Sequence, residues 1–407
     1  MQNSEVLSAY RSHAAPYQTE NLCDLVVETA ESATLFLADG RQVIDMASGG
    51  FGYAHPLVKQ SVIEQVKRGP LSNRILVNRA LTRLVIELAD WSPGDLDVSY
   101  ICNSGEEALD SALKLAKGHW PTRHQVVVAE GGNYGTLSHG IYFAGIGAQY
   151  LGSLPFLPVA LPFGDESAFI AAIGSNTAAV LLEPLNLDSG RIMASAAFWK
   201  AVRQRCDETG ALLIVSELRT GLGRTGTRFA IEHTGIVPDV LVVGGALGGG
   251  HIAVGAYVTR EPVNSKVYGR RNPTLHGSTT GANPAACAAA LATLSAIEKE
   301  RMLDGNAQFG SRAVSYLRAA SGVRAVQHLG SLVAIDFESG AIARQVHKAA
   351  LDAGLLLQAP IDARILLQPP LMISPDEQRR GLESLKQAIR DATVTQPFAQ
   401  HVKEAVQ

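Results

Sequence analysis

Glu217 and Arg219 stand one residue apart in Val215-Ser216-Glu217-Leu218-Arg219. A carboxylate beside a guanidinium can move a proton or hold an anion, and it can equally be a structural ion pair with no chemistry. Ser104-Gly105-Glu106-Glu107 has the pattern of a capping box, with Ser at the cap and Glu three residues on. Glu106 then falls in the first turn of a helix. Its charge there either complements the macrodipole or serves as an acid or base. His251 follows Gly248-Gly249-Gly250, as either a structural imidazole or a proton carrier. Cys23, Cys102, Cys206 and Cys287 are scattered without a CxxC. That spacing suggests neither a disulfide framework nor a zinc site, no metal is expected, and a reducing cytoplasm is the simpler compartment.

The elements that must position these side chains alternate between strand and helix. Residues 99–102 are short and apolar. The stretch 104–117 places Ala108, Ala112, Leu115 and Ala116 on one helical face. Strands are expected at 125–129, 178–182, 211–215, 239–243 and 254–259, with a helix over 195–209. Several of these strands are apolar throughout, as when helices cover both faces of a sheet, so the expectation is an α/β fold with a mainly parallel sheet. The charge-poor stretch 240–258 holds six glycines and His251. It reads as strand, loop, strand, because a membrane helix would carry more large apolar residues.

A helical run over 283–299 closes this part. Beyond it, 323–328, 331–337, 341–353, 355–358, 364–367 and 375–391 look like a smaller α+β domain. The first 45 residues read as irregular apart from a strand pair at 33–37 and 41–45, and are expected to pack on the smaller domain. The expected division is 1–45, 46–300 and 301–407.

Length and composition bound the rest. The 407 residues suggest two or three domains. The 35 basic and 38 acidic residues leave a net charge of −3, which gives no reason to expect a nucleic-acid or anionic-membrane partner. Apolar residues make up 46% and charged residues 18%, so a large interior or subunit interface is expected and disorder is excluded. Residues 1–16 carry Glu5, Arg11 and His13 and no apolar core, so no signal peptide is expected.

Taken in order, the segments resemble the class III aminotransferases, pyridoxal-phosphate enzymes of the aspartate-aminotransferase-like fold. Asn103-Ser104-Gly105-Glu106-Glu107-Ala108 is similar to the family's NSGTEA phosphate turn, and Gly131-Gly132-Asn133-Tyr134-Gly135 to its GxYHG segment. Glu183-Pro184-Leu185-Asn186 is similar to EPxQ. Residues 216–226 resemble DEVQTGxGRTG, 239–250 resemble DILTxxKxLGGG, and 276–284 resemble HGSTFGGNP. The resemblance covers nearly the whole chain. It implies a fold type I architecture, a homodimer, and a ligand cleft at the dimer interface. Ser104, Gly105, Glu183, Ser216, Gly245 and Thr279 would be the remnant cofactor positions, Thr279 reaching the phosphate of the neighbouring subunit.

Several positions depart from the family pattern. Gly245 stands where the family has its Schiff-base lysine, the amine that forms the imine and shuttles the proton. The space is either simply lost or open to a different ligand. Ser216 stands for the aspartate that keeps the pyridine nitrogen protonated. Glu106 stands for the threonine of the phosphate turn, where a carboxylate would repel phosphate by roughly 4 kcal/mol at 4 Å in an effective dielectric near 20. Asn133 replaces the ring-stacking aromatic, with Tyr134 next to it. Arg219 replaces the glutamine of DEVQ, and Leu366 the substrate-carboxylate arginine. Arg364, two residues earlier on the same strand face, is the candidate to compensate.

Three functions follow from this pattern. The first is a repurposed, cofactor-independent enzyme acting on a small amine or carboxylate metabolite. Its catalytic candidates are Glu217, His251, Glu106 and Tyr134, and its substrate-binding candidates Arg219, Arg364 and Asn133. The second is a non-catalytic homologue partnering an active paralogue. The third is an aminotransferase that uses pyridoxal or pyridoxamine phosphate without a covalent link.

Overall fold

Short apolar runs followed by capped helices build most of this chain. The structure is a computed structural model, and it describes residues 2–13, 24–69, 77–137, 139–145, 147–152, 157–186, 193–269 and 275–394. The first elements are α1 (Asn3–His13), β1 (Val27–Glu31), β2 (Thr34–Leu37), β3 (Gln42–Asp45), α2 (Pro56–Arg68) and α3 (Arg79–Trp91). Next come β4 (Val98–Cys102), α4 (Gly105–His119), β5 (Gln125–Ala129), α5 (Gly140–Phe143), α6 (Gly147–Leu151), β6 (Leu157–Leu161), α7 (Glu166–Ala172) and β7 (Thr177–Leu182). They are followed by α8 (Ala196–Thr209), β8 (Leu212–Ser216), a 3-10 turn at Ala230–Thr234, β9 (Val240–Val243), β10 (Gly255–Thr259), α9 (Glu261–Tyr268) and α10 (Pro284–Lys299). The chain closes with α11 (Met302–Leu317), β11 (Val323–Leu329), β12 (Leu332–Phe337), α12 (Gly340–Asp352), β13 (Leu355–Leu356), β14 (Arg364–Leu367) and α13 (Pro375–Val394).

The chain divides into two compact units, 56–307 and 1–55 with 308–407. In the first, seven strands run in the order β4-β10-β9-β8-β7-β5-β6. β10 is antiparallel to both neighbours, and the pairs from β9 to β6 are parallel. Every residue of β7, β8, β9 and β10 is buried. Strands covered on both faces need no polar alternation, which is why they are apolar apart from a residue at one end or the other. α4 covers one face: Ala108, Ala112, Leu115 and Ala116 pack with Val128, Leu181, Ile214 and Val242. Each large aliphatic side chain buried this way contributes roughly 1.5–3 kcal/mol. The carboxyl ends of β5, β7, β8 and β9 open onto the segments that carry Asn133, Glu183, Glu217 and Gly245. Parallel sheets place ligand sites at that edge.

In the second unit, β11-β12-β14 form one antiparallel sheet, and β1-β2-β3-β13 form another in which β13 runs parallel to β3. Glu377 ties the two ends of the chain together within this unit. Its carboxylate accepts from Ser32 Oγ (2.6 Å), Ala33 N (3.0 Å), Thr34 Oγ1 (2.7 Å), Ser374 N (2.8 Å) and Ser374 Oγ (2.8 Å).

The first 45 residues hold more order than the sequence suggests, since α1 and β1 join the strand pair. α2, α3 and α11 also go beyond the expected elements, and the strand expected at 355–358 shortens to Leu355–Leu356. Cys102, Cys206 and Cys287 are buried free thiols, and Cys23 lies outside the described residues. Among the described residues no helix is long and apolar enough to cross a membrane, and no cluster of side chains could hold a metal ion.

Candidate functional site

Ser104 caps α4, its hydroxyl accepting from Glu107 N at 3.1 Å. The return bond of the capping box goes one residue further back than the motif implies: Glu107 Oε2 accepts from Asn103 N at 2.6 Å. The Asn103 side chain donates to Ser278 Oγ at 2.7 Å and accepts from Thr280 Oγ1 at 3.0 Å. Thr279, between those two anchored neighbours, is exposed. Glu106 does not face open water alone. Its Oε2 accepts from Thr136 N at 3.0 Å and from Thr136 Oγ1 at 3.3 Å.

The segment after β5 turns next to Glu183. Asn133 N donates to Glu183 Oε2 at 2.7 Å. Arg219 donates to the same carboxylate, from Nε to Oε1 at 3.0 Å and from Nη2 to Oε2 at 3.2 Å. Glu183 is only 3% exposed and Arg219 19%, so this is a fork between two desolvated charges.

Leu218, beside Arg219, reaches back to the start of α4. A Cβ built on Gly105 would lie 2.7 Å from Leu218 Cδ2, and one on Gly244 would lie 2.6 Å from Gly105 Cα. Contacts therefore run in a closed circuit: Gly105, Leu218, Arg219, Glu183, Asn133, Thr136 and Glu106, which returns to α4.

Gly245 lies on this circuit with φ +57°, a left-handed conformation that side chains rarely adopt. A Cβ there would sit 2.4 Å from the Leu218 carbonyl oxygen. Ser216 ends β8 and is 1% exposed, and its hydroxyl has no hydrogen-bond partner among the described residues. Strand alternation puts it on the same sheet face as Leu212 and Ile214, the face that α4 covers.

The circuit leaves out four of the sequence-derived catalytic and substrate-binding candidates. Glu217 is 1% exposed and turns into the core. There it accepts from the Thr220 hydroxyl and, at 2.8 Å, from Ile231 N. Burial pushes its carboxyl up to about 7, against the opposing pull of those hydrogen bonds. Tyr134 is buried against Phe143. Its hydroxyl accepts from Ala129 N at 2.9 Å and donates to Ala129 O at 3.1 Å, and burial raises its pKa. Both side chains, expected from the sequence as catalytic, are buried and hydrogen-bonded within the fold. His251 is exposed in the turn after β9, its amide donating to Gly248 O at 3.1 Å. Arg364 belongs to the other unit. Its position opposite Asp336 in the β12–β14 pairing produces an ion pair at 2.7 Å, so that guanidinium is already engaged. Sequence reasoning did not single out Leu218, Thr136, Asn103 or Ser278. Asn103, Leu218 and Ser278 lie within the family-like segments, but their roles come from contacts between distant segments that no spacing announces.

A mainly parallel sheet with these segments at its carboxyl edge defines a fold type I pyridoxal-phosphate transferase architecture. The chain belongs to the class III aminotransferase family: the family model "Aminotransferase class-III" matches residues 15–389. The family's cofactor is pyridoxal phosphate. The chain is 33% identical to a putrescine aminotransferase of Pectobacterium atrosepticum over 443 aligned positions, covering 99% of this chain and 92% of that protein. The fold is similar to that of the ornithine aminotransferase from Toxoplasma gondii, with a TM-score of 0.89 and 24% identity over 97% of each chain. It is also similar to a transaminase from the marine bacterium Virgibacillus, with a TM-score of 0.87 and 21% identity over 96% of this chain and 99% of that one.

Proposed function

We propose that this chain is a non-catalytic member of the class III aminotransferase family. On this reading it keeps the scaffold, forms no lysine imine with pyridoxal phosphate, and works as the partner of a catalytic family chain. The observation that carries the reading is at Gly245. The position has no side chain, its φ is +57°, and the Leu218 carbonyl would lie 2.4 Å from any Cβ added there. A lysine amine could be presented from this loop only after the backbone had moved.

The family's cofactor does not fit the other residues of the site either. Ser216 offers a neutral hydroxyl where a carboxylate would hold a ring proton, and the start of α4 carries Glu106 and Glu107.

The partner role rests on Thr279. With Ser278 and Thr280 fastened to Asn103, this exposed side chain is presented outward. By the family resemblance, the threonine at this position serves the neighbouring subunit. A cofactor-independent enzyme has less support. Its two central candidates, Glu217 and Tyr134, are sealed in the core.

Two measurements test the reading. The protein is incubated with pyridoxal phosphate, reduced with borohydride and mapped by mass spectrometry. No pyridoxyl group is expected on any residue of the site, and an adduct there overturns the loss of the imine. Affinity purification from the native host is expected to bring down a second aminotransferase chain. Recovery of a pure homodimer overturns the partner role.

A further inference from the structure

We propose that Glu106 is the specificity-determining residue that shuts this site to phosphorylated ligands, its carboxylate fixing a negative charge from within the chain beside the start of α4. The inference rests on the site assignment made above, but not on whether an imine forms.

A helix start is an anion site by construction. Its first amides point along the axis without intrahelical partners, and the macrodipole favours negative charge. In α4 the chain supplies that charge itself. Glu107 turns back to Asn103 N at 2.6 Å. Glu106 reaches forward and accepts from both the amide and the hydroxyl of Thr136. The loop lies directly on the carboxylate: a Cβ on Gly135 would be 2.8 Å from Glu106 Cδ. A phosphate arriving at the start of α4 faces a like charge that two hydrogen bonds hold in place. At about 4 Å and an effective dielectric near 20, one such repulsion weakens binding on the order of a thousandfold.

The site is not thereby emptied of polar function. Ser216 Oγ is buried without a partner among the described residues, on the sheet face that α4 covers. A buried hydroxyl left unpaired is costly, and a ligand that pairs with it removes that cost. The ligand class that satisfies both observations is small, unphosphorylated, and neutral or cationic, with one hydrogen-bonding group for Ser216.

The test is isothermal titration calorimetry on the full chain with two probes, pyridoxamine and pyridoxamine 5′-phosphate. Neither carries an aldehyde, so the outcome is independent of imine formation. The wild-type chain is expected to bind the unphosphorylated probe more tightly. Glu106→Gln keeps an acceptor for the Thr136 amide and removes the charge, and Glu106→Thr removes charge and bulk. Both are expected to tighten the phosphorylated probe by about tenfold or more while changing pyridoxamine by less than about twofold. A wild-type preference for the phosphorylated probe overturns the inference. So does an unchanged preference in a variant with a wild-type unfolding midpoint, or the failure of both variants to bind the phosphorylated probe.

Discussion

Alanine at position 245 places a methyl carbon 2.4 Å from the Leu218 carbonyl oxygen, in a residue held at φ +57°. Two costs follow. A non-glycine residue in the left-handed region loses about 1–2 kcal/mol. Overlap in a packed site costs about 1–3 kcal/mol more, because carbonyl and loop must both shift. Gly245→Ala should therefore destabilise the 56–307 unit by about 2–5 kcal/mol. Gly235, in the same unit, supplies the control: its φ is +70°, and nothing lies within 4 Å of an added Cβ. Gly235→Ala should lose only the first cost, about 1–2 kcal/mol. Any gain from a stiffer unfolded chain applies equally to both and cancels in the difference. The assay is urea unfolding read by tryptophan emission. The chain's three tryptophans, Trp91, Trp120 and Trp199, all lie in this unit, so the signal reports it alone. The expected result is a lower midpoint for Gly245→Ala than for Gly235→Ala at an unchanged slope. Gly245→Lys should be at least as destabilised and should form no borohydride-stable adduct at that position. Equal midpoints for the two alanine variants, together with an adduct on the lysine variant, would refute the claim that the imine position is closed.

Three further outcomes are expected. The Glu217 carboxyl is pushed up to about 7 by burial, above its unfolded value. As pH rises, the unfolded chain releases this proton first, so the contribution to stability falls between about pH 4.5 and 7, by roughly 3 kcal/mol. Tryptophan-detected unfolding of Glu217→Gln should lose that slope relative to wild type; an identical slope would mean that Glu217 is ionised without penalty. Arg219→Ala takes the guanidinium away from the buried Glu183 carboxylate and should cost about 3–5 kcal/mol in the same assay, with Arg219→Lys intermediate. A loss below about 0.5 kcal/mol would make the pair a surface contact. Burial raises the pKa of Glu377, but hydrogen bonds from Ser32, Ser374 and Thr34 outweigh it and hold the carboxyl below its usual value. Its stabilisation is therefore present above the unfolded pKa and lost as pH falls through the folded one. Hydrogen exchange at the Ala33 amide should quicken in acid and in Glu377→Ala, and unchanged protection would remove this latch.

Much of the scaffold is legible because its signals are local. Ser104 and Glu107 mark the start of α4 by themselves, and an apolar run such as 178–182 declares a strand covered on both sides. α3 carries a similar signal, with Asn78 at its cap and Leu84, Leu88 and Trp91 buried along one face, although it is absent from the expected elements. The site is less legible. Glu217 follows the last residue of β8, so strand alternation no longer dictates its direction; Thr220 and the Ile231 amide draw it inward. Tyr134 adjoins Asn133 in sequence, yet its hydroxyl finds both backbone groups of Ala129 in the core. The register of β12 against β14 puts Asp336 opposite Arg364, and no spacing rule relates those two positions.

Residue types and periodicity determined the α/β class, the start of α4 and the succession of strands and helices along the chain, and the sequence puts a glycine at position 245. Only the folded chain decided which charges are already consumed: Glu106 by Thr136, Glu183 by Arg219, Arg364 by Asp336 and Glu217 by the core. The reason is physical. A helix or strand signal is carried by neighbours a few residues apart, whereas three of these charges meet partners far along the chain, 28 positions away for Arg364, 30 for Glu106 and 36 for Glu183.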